Sequence, residues 1–491
     1  MLGLISRGRP ALRVKSSSDD HAMRLFVVVI AAYLVVALAL PLYAMLSKSM
    51  LDPDGLFIGL ANYVAYFRTP ALVYSIKNSL FVGVLTTLIT VTIAFLLAYA
   101  LTRSRMPAKP AFKTIAMIPI LVPSLLPGIA LIYLFGRQGL INGMLFGHDI
   151  YGPIGIIIAE VFFTLPHALI IITTALSIAD ARLYEAAISL RASRTRIFFT
   201  VTIPGVRYGL ISAAFVVFTL AVTDFGAPKV IGGDFNVLAT DIYKQVIGQQ
   251  NFSMGAVVSV VLLIPAGLAF LVDRIVQKKQ VALLSTRAVA LVPSRHRRFD
   301  NLMLGYAIIV SVFIVGMISV CQYAALVKFY PYDLSLGFTN YQFDLMDGGG
   351  WDSYFNSIEM ATYTAVFGTV LVFCGAYLVE KAQGLGVVRG AFQFLAMLPM
   401  AVPGLVLGLA YIFFFNSPTN PLNFLYHTMA ILVISTITHF YTVSHLTATT
   451  ALKQMDAQFE SVAASLKQPF YRTFFRVTIP VCTPAILDIS I

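Results

Sequence analysis

Charge is what this sequence has least of. Only 11% of its 491 residues are Asp, Glu, Lys or Arg, and 58% are hydrophobic. Soluble domains carry roughly 25% charged residues, so a water-facing surface cannot be assembled from this composition and a soluble multidomain enzyme is excluded. Cysteine is equally scarce. Cys321, Cys374 and Cys482 form no CxxC pair and have no metal-ligand spacing, so they read as small packing residues. Gly-Lys does not occur as a dipeptide, which rules out a GxxxxGK[ST] phosphate loop and leaves no ATP-binding motif of that type in this chain. Clustered catalytic carboxylates or metal ligands within apolar stretches are missing too, which disfavours a membrane-embedded enzyme.

Long apolar runs are present instead. A helix that crosses a ~30 Å hydrocarbon layer needs about 20 apolar residues. Runs of that kind lie at Leu25–Leu46, Ser79–Leu101, Ile115–Phe135, Ile154–Leu176, Gly209–Thr223, Met254–Val272, Leu302–Leu326, Ile358–Val379, Ala391–Phe415 and Leu425–Thr447, with a further start at Thr483–Ile491. The first run is too long for a signal-peptide core and no small-residue cleavage site follows it, so it reads as a retained helix.

The formal charge of +12 is a topology signal. With the N-terminus inside, the alternating segments on the inner side hold 27 Lys and Arg and those on the outer side hold 7. That asymmetry fits the positive-inside rule and makes a nucleic-acid partner unnecessary. The expected organisation is an N-terminal inner tail (1–24), a first repeat (25–276), a basic linker (277–301) and a second repeat (302–491).

The repeat is visible residue by residue. Gly59, Asn62 and Tyr63 return as Gly337, Asn340 and Tyr341, an offset of 278 (340 − 62), and Ala98-Tyr99 returns as Ala376-Tyr377. Met117-x-Pro119 returns as Met397-x-Pro399, and Val201-Thr202-Ile203-Pro204 as Val477-Thr478-Ile479-Pro480. An even number of spans in each repeat makes the two parallel, with a translocation path expected between them. The fold class is therefore an all-α polytopic membrane protein of two parallel repeats of about six helices, the second incomplete at its C-terminal side.

The most informative stretch is Tyr184–Pro204, YEAAISLRASRTRIFFTVTIP, with its counterpart Glu460–Pro480, ESVAASLKQPFYRTFFRVTIP. Both fall in segments assigned to the inner side. Small residues at Ala186 and Ala187 let a short helix sit deep in a partner's groove, while Arg194 can reach acidic or carbonyl groups there. The aromatic pair and the proline then tie that helix to the membrane bundle. Such a combination suits a mechanical connector better than a catalytic site.

This pattern resembles the coupling loop of binding-protein-dependent ABC importer permeases: EAA, three residues, glycine, nine residues, then I-x-L-P. Glu185-Ala186-Ala187 and Val201-x-Ile203-Pro204 fit it. The glycine position is Arg191 in one copy and Lys467 in the other, and Ser461-Val462-Ala463 replaces EAA in the second. The resemblance implies that Glu185, Ala186, Ala187, Leu190, Arg191, Arg194 and Pro204, with Glu460, Ala463, Leu466, Lys467 and Pro480, engage two copies of a cytoplasmic ATPase that binds ATP and Mg²⁺. The chain itself would bind no cofactor or metal and hydrolyse nothing. It would sit in the bacterial inner membrane, receive solute from a periplasmic binding protein, and touch only lipid otherwise. The segments Thr223–Pro228 and Asn236–Tyr243 make it similar to the ferric-iron and phosphonate branch. Pro399–Tyr411 and Leu422–Tyr426 are most similar to 2-aminoethylphosphonate permeases, so that solute is the expected cargo. The alternatives are ferric-iron import and, below it, a secondary transporter.

Four further residues are candidates for the pathway or for docking. Asp224 ends a span beside Gly226 and Pro228, where an ionisable group either lines a pathway or sits in water at a helix end. Lys229 could attract an anionic solute, but an ordinary periplasmic-loop charge explains it better. His167 and His445 occupy equivalent places within spans, and interhelical hydrogen bonding explains them better than a pathway pair.

Overall fold

A computed structural model describes residues 18–177, 180–282, 291, 293–345, 349–381, 386–455, 458–466 and 468–491. Within these the chain is helical, apart from one two-stranded hairpin. The helices that matter here are α1 (Ser18–Leu34), α2 (Pro70–Arg103), α3 (Lys109–Met117), α4 (Leu125–Phe135), α5 (Pro153–Ser177), α6 (Ala181–Ser189), α7 (Ile203–Thr223), α8 (Gly226–Ile231), α9 (Phe252–Ala282) and α10 (Arg297–Leu326). The hairpin strands β1 (Val327–Phe329) and β2 (Asp333–Leu336) come next, followed by α11 (Gly350–Lys381), α12 (Gly386–Met397), α13 (Gly404–Phe415), α14 (Met429–Gln454), α15 (Gln458–Ser465) and α16 (Ile479–Ser490). Among the described residues, eight helices are long and apolar enough to cross a membrane, and two bent pairs bring the total to ten if each pair is one crossing.

Two expected single spans are broken. Lys109–Leu121 and Leu125–Phe135 meet at 103°, and Gly386–Ala401 and Gly404–Phe415 bend at the equivalent place. Pro119 and Pro123 lie at the first break and Pro399 and Pro403 at the second. Proline removes a backbone donor and clashes with the preceding turn, so the helix stops there. Each pair is nonetheless a crossing. Helices α2 and α5 run in the same direction: Thr90 Oγ1 lies 3.2 Å from Thr164 Oγ1, and further along both chains the Arg103 guanidinium donates to the Leu176 carbonyl at 2.8 Å. The chain between two parallel helices must return to the opposite end. In the second repeat a Cβ at Gly368 would meet Ile437 and one at Gly375 would meet Tyr441, so α11 and α14 are parallel as well.

Small residues bring the helices of the first bundle close together. A Cβ on Gly83 of α2 would lie 2.4 Å from Val222 of α7, and one on Gly209 of α7 would lie 2.4 Å from Ala175 of α5. Without a hydrophobic drive between helices in lipid, close backbone packing and polar bonds do the joining. The Ser212 hydroxyl donates to Asp273 at 2.5 Å, tying α7 to α9.

Packing groups the chain into two units: one of residues 1–41, 356–400 and 415–491, the other of 42–355 and 401–414. The first helix of each sequence repeat packs within the unit built mainly from the other repeat. Met23, Val27, Ile30 and Leu34 of α1 are buried among α11, α12 and α14 residues such as Phe373, Phe392 and Tyr441. Met303, Ala307, Val310 and Ile314 of α10 are buried with α2, α3 and α4 residues such as Leu97, Ala116 and Leu131. The spacing of the two stripes is identical, 280 residues apart (303 − 23). Both ends of the expected linker are helical. Residues 277–282 belong to α9 and 297–301 to α10, while 283–290 and 292 lie outside the described residues.

A polar clasp recurs after the first helix of each repeat. The Asn62 amide donates to the carbonyls of Ser49 and Leu51 at 3.0 and 2.9 Å, and Asn340 does the same to Ala325 and Val327 at 3.3 and 2.6 Å.

Candidate functional site

The two coupling loops fold alike. Helix α6 begins at Asp180, whose carboxylate accepts from the Arg182 amide at 3.1 Å and pairs with the Arg182 guanidinium at 2.6 Å. It ends in a Schellman closure, with Arg191 N–H on the Ile188 carbonyl at 2.8 Å and Ala192 N–H on the Ala187 carbonyl at 3.0 Å. This closure needs a left-handed residue, and Arg191 supplies it with φ 55°. The glycine of the family pattern is therefore replaced in type but not in conformation. In the second loop Gln468 N–H reaches the Ala463 carbonyl at 3.0 Å, the same bond 276 residues on (468 − 192).

Beyond the closure, Ser193 caps the short helix Arg194–Ile197 by accepting from Arg196 N–H, and Pro469 stands at the matching position before Phe470–Thr473. Each short helix then widens into a π turn, Phe198–Thr202 and Phe474–Thr478. Ile203 N–H bonds the Phe198 carbonyl and Ile479 N–H bonds that of Phe474. Pro204 and Pro480 follow directly and lack the N–H that would continue an i→i−4 ladder, so the loop joins α7 and α16 through the wider turn.

Aromatic rings fix both loops to their bundles. Phe198 packs edge-on against Phe95 and Tyr99 of α2, at 5.9 and 5.8 Å between centroids. Its counterpart Phe474 packs against Phe373 and Tyr377 of α11, at 6.0 and 4.7 Å. In the first loop Tyr184, itself buried, donates to Thr202 at 3.1 Å and lies under the Arg103 guanidinium at 5.3 Å. Pattern reading missed Tyr99, Tyr184 and Arg103. The repeated Ala-Tyr pair at 98–99 and 376–377 was the available signal for the first.

Several of the predicted coupling residues remain outward. Glu185, Ala186, Arg191, Arg194 and Pro204 are exposed, Ala187 is half-buried, and Leu190 is 82% exposed beside Leu183 and Ile188. In the second loop Leu466 and Pro480 are exposed and Ala463 is half-buried. Glu460 lies in α15 with its side chain outside the described residues, as is all of Lys467. Leu183, Ile188 and Leu190 are thus exposed apolar side chains on a charged loop.

The other candidates are not gathered into one site. Lys229 is exposed and its ammonium lies 4.2 Å from the Tyr243 ring centroid. Asp224 is half-buried at the end of α7 and accepts from Ala227 N–H at 2.9 Å. The expected interhelical hydrogen bonds of the two histidines are not seen at Nδ1, which has no partner in either ring. Among the ring contacts, His445 stacks on Tyr441 and His167 lies beside Phe163.

Two loops of one design, each locked to its own bundle and apolar on the outside, are the features that comparison with known proteins has to account for. Residues 90–281 match the family of binding-protein-dependent transport system inner membrane components. The matched segment holds the whole first loop and both Glu160 and Asp224. The chain is 29% identical over 443 residues to the ferric transport system permease protein FbpB of Actinobacillus pleuropneumoniae, covering 85% of this chain and 62% of that protein. A Haemophilus influenzae protein named for the same transport system matches at 29% over 443 residues, with 67% of its own length covered. The chain thus spans 62% of the first of these permeases. A bacterial ABC transporter involved in the import of the polysaccharide alginate resembles it at 16% identity and a TM-score of 0.41, covering 54% of this chain and 97% of that one.

Proposed function

We propose that the chain is the membrane-spanning permease of an ATP-driven, binding-protein-dependent importer, with both coupling loops facing the cytoplasm and a separate ATPase docked on each. The observation that carries this reading is the shared build of the loops at an offset of 276: closure, cap, π turn and aromatic anchor recur together. A push on α6 is passed through Phe198 and Tyr184 to α2, because the anchored rings leave the loop no independent hinge. The basic excess on the same side supports the inward orientation. The binding protein delivers solute at the opposite end, and ATP with Mg²⁺ stays on the partner.

For the cargo we infer ferric iron, since both relatives named above are ferric transport permeases. The 2-aminoethylphosphonate reading rests on the resemblance of Pro399–Tyr411 and Leu422–Tyr426. Vesicles containing the chain, its ATPase and its binding protein decide between them: iron uptake without phosphonate uptake supports the first, and the reverse supports the second. Glu185→Ala and Leu190→Ala are expected to cut ATPase capture and uptake roughly tenfold, the loss of about 1.4 kcal/mol of contact, with membrane insertion unchanged. Unchanged capture by both variants sinks the coupling assignment.

A further inference from the structure

Inside the first bundle, α5 carries a carboxylic acid that the transport reading leaves unused. Glu160 is completely buried, and no N–H or hydroxyl donor reaches either carboxylate oxygen. The group that faces it is the carboxyl of Asp224, at the end of α7. Asp224 has a partner of its own in Ala227 N–H. Two carboxyls this close cannot both stay ionised, and sharing one proton the pair keeps one negative charge. Among the described residues no lysine or arginine pairs with it.

A third oxygen stands at the same level. Thr90 of α2 meets Thr164 of α5, and these helices run in parallel, so one turn back along each places Thr86 opposite Glu160. The Thr86 hydroxyl is buried and has no hydrogen-bond partner. The nearby end of α7 adds the negative end of a helix dipole. Everything that converges here is oxygen and carries negative or neutral charge.

We propose that Glu160, Asp224 and Thr86 form a binding site for a small monovalent cation of sodium size within the first bundle. Oxygen ligands without nitrogen or sulfur select a hard cation, and helix C-terminal ends beside carboxylates are a known way to hold one at membrane depth. One positive charge balances the one negative charge of the pair. Close packing sets the size: Val222 lies against Gly83, one turn of α2 from Thr86, where even a methyl group would be 2.4 Å from it. Packing this tight beside the site favours a small ion stripped of most of its water. The site occurs once, because the position equivalent to Glu160 in the second repeat is Thr438 (160 + 278).

The test uses the full chain in lipid nanodiscs, with thermal unfolding followed in sodium chloride and in choline chloride at equal ionic strength. Sodium is expected to raise the midpoint saturably. At a concentration 100 times the dissociation constant, the folded-to-unfolded ratio rises about 100-fold. Glu160→Gln is expected to abolish the sodium response and to match or exceed the stability of the unsubstituted chain in choline. Should that variant fail to fold, Thr86→Val carries the test, with the half-saturating sodium concentration raised roughly tenfold, equivalent to losing one ligand. Equal midpoints in the two salts overturn the proposal, as does a sodium response that survives in Glu160→Gln. A midpoint that follows pH but ignores sodium assigns the charge to a proton and overturns it as well.

Discussion

Arg191 holds a torsion that L-residues avoid. At φ 55° its Cβ crowds the following carbonyl, at a cost of roughly 1–2 kcal/mol. Glycine escapes that cost but loses roughly 0.5–1 kcal/mol more than alanine through the freedom it has when unfolded. Arg191→Gly should therefore raise stability by about 0.5 kcal/mol, while Arg191→Val, β-branched at a left-handed position, should lower it by at least 1 kcal/mol, read as the order of melting temperatures Gly, Arg, Val. A valine variant as stable as the glycine one removes the strain argument. Tyr184 makes a second prediction at this scale. Tyr184→Phe keeps the ring but strands the buried Thr202 hydroxyl, an expected loss of about 1 kcal/mol. Faster amide exchange confined to residues 181–189 would report the loosened loop, and exchange spread over α7 would argue against a local clamp.

At the scale of elements, the π turn sets the direction in which each loop projects. A wider turn holds one residue more than an α-turn, and one residue corresponds to about 100° of helix rotation. Deleting Thr200 should convert Phe198–Thr202 to regular helix and turn α6 by about that angle against α7. ATP-driven uptake should then fall to background while the melting temperature moves by less than a residue buried in the bundle would move it. Uptake that persists shows that loop direction does not matter. The register of Glu185 to Pro204 was legible from sequence because small residues, an aromatic pair and a proline recur at fixed spacing. The wider turn was not legible, since Pro204 announces a missing donor without saying how the chain accommodates it. The same holds for the broken crossings. Pro119 and Pro123 mark a weakness inside an apolar run, yet hydropathy averages across the break and reports one span.

The whole molecule shows what repetition conceals. The buried stripes of α1 and α10 are superimposable in spacing, so the sequence identifies two first helices without choosing a bundle for either. Contacts make the choice: a Cβ on Gly375 would lie 3.3 Å from Ile30. The atom met is Ile30 Cγ2, one bond from its Cβ, so the two Cβ positions lie within about 4.8 Å, close to the roughly 3.5–4.5 Å a disulfide needs. In a background with Cys321, Cys374 and Cys482 replaced by alanine, Ile30→Cys with Gly375→Cys should cross-link on mild oxidation. With a protease site inserted in the segment 283–290, the two halves should stay joined on a non-reducing gel and separate on reduction. The equivalent residue in the first repeat is Leu97 (375 − 278). Ile30→Cys with Leu97→Cys would form a bond only if α1 packed on its own repeat, and the cleaved chain would then run as two pieces under both conditions. A second signature follows from the same packing. Tyr306 of α10 donates to the Ile93 carbonyl at 2.9 Å, so Tyr306→Phe should cost about 1 kcal/mol in a chain whose α10 stays on α2, and nothing in one where it does not.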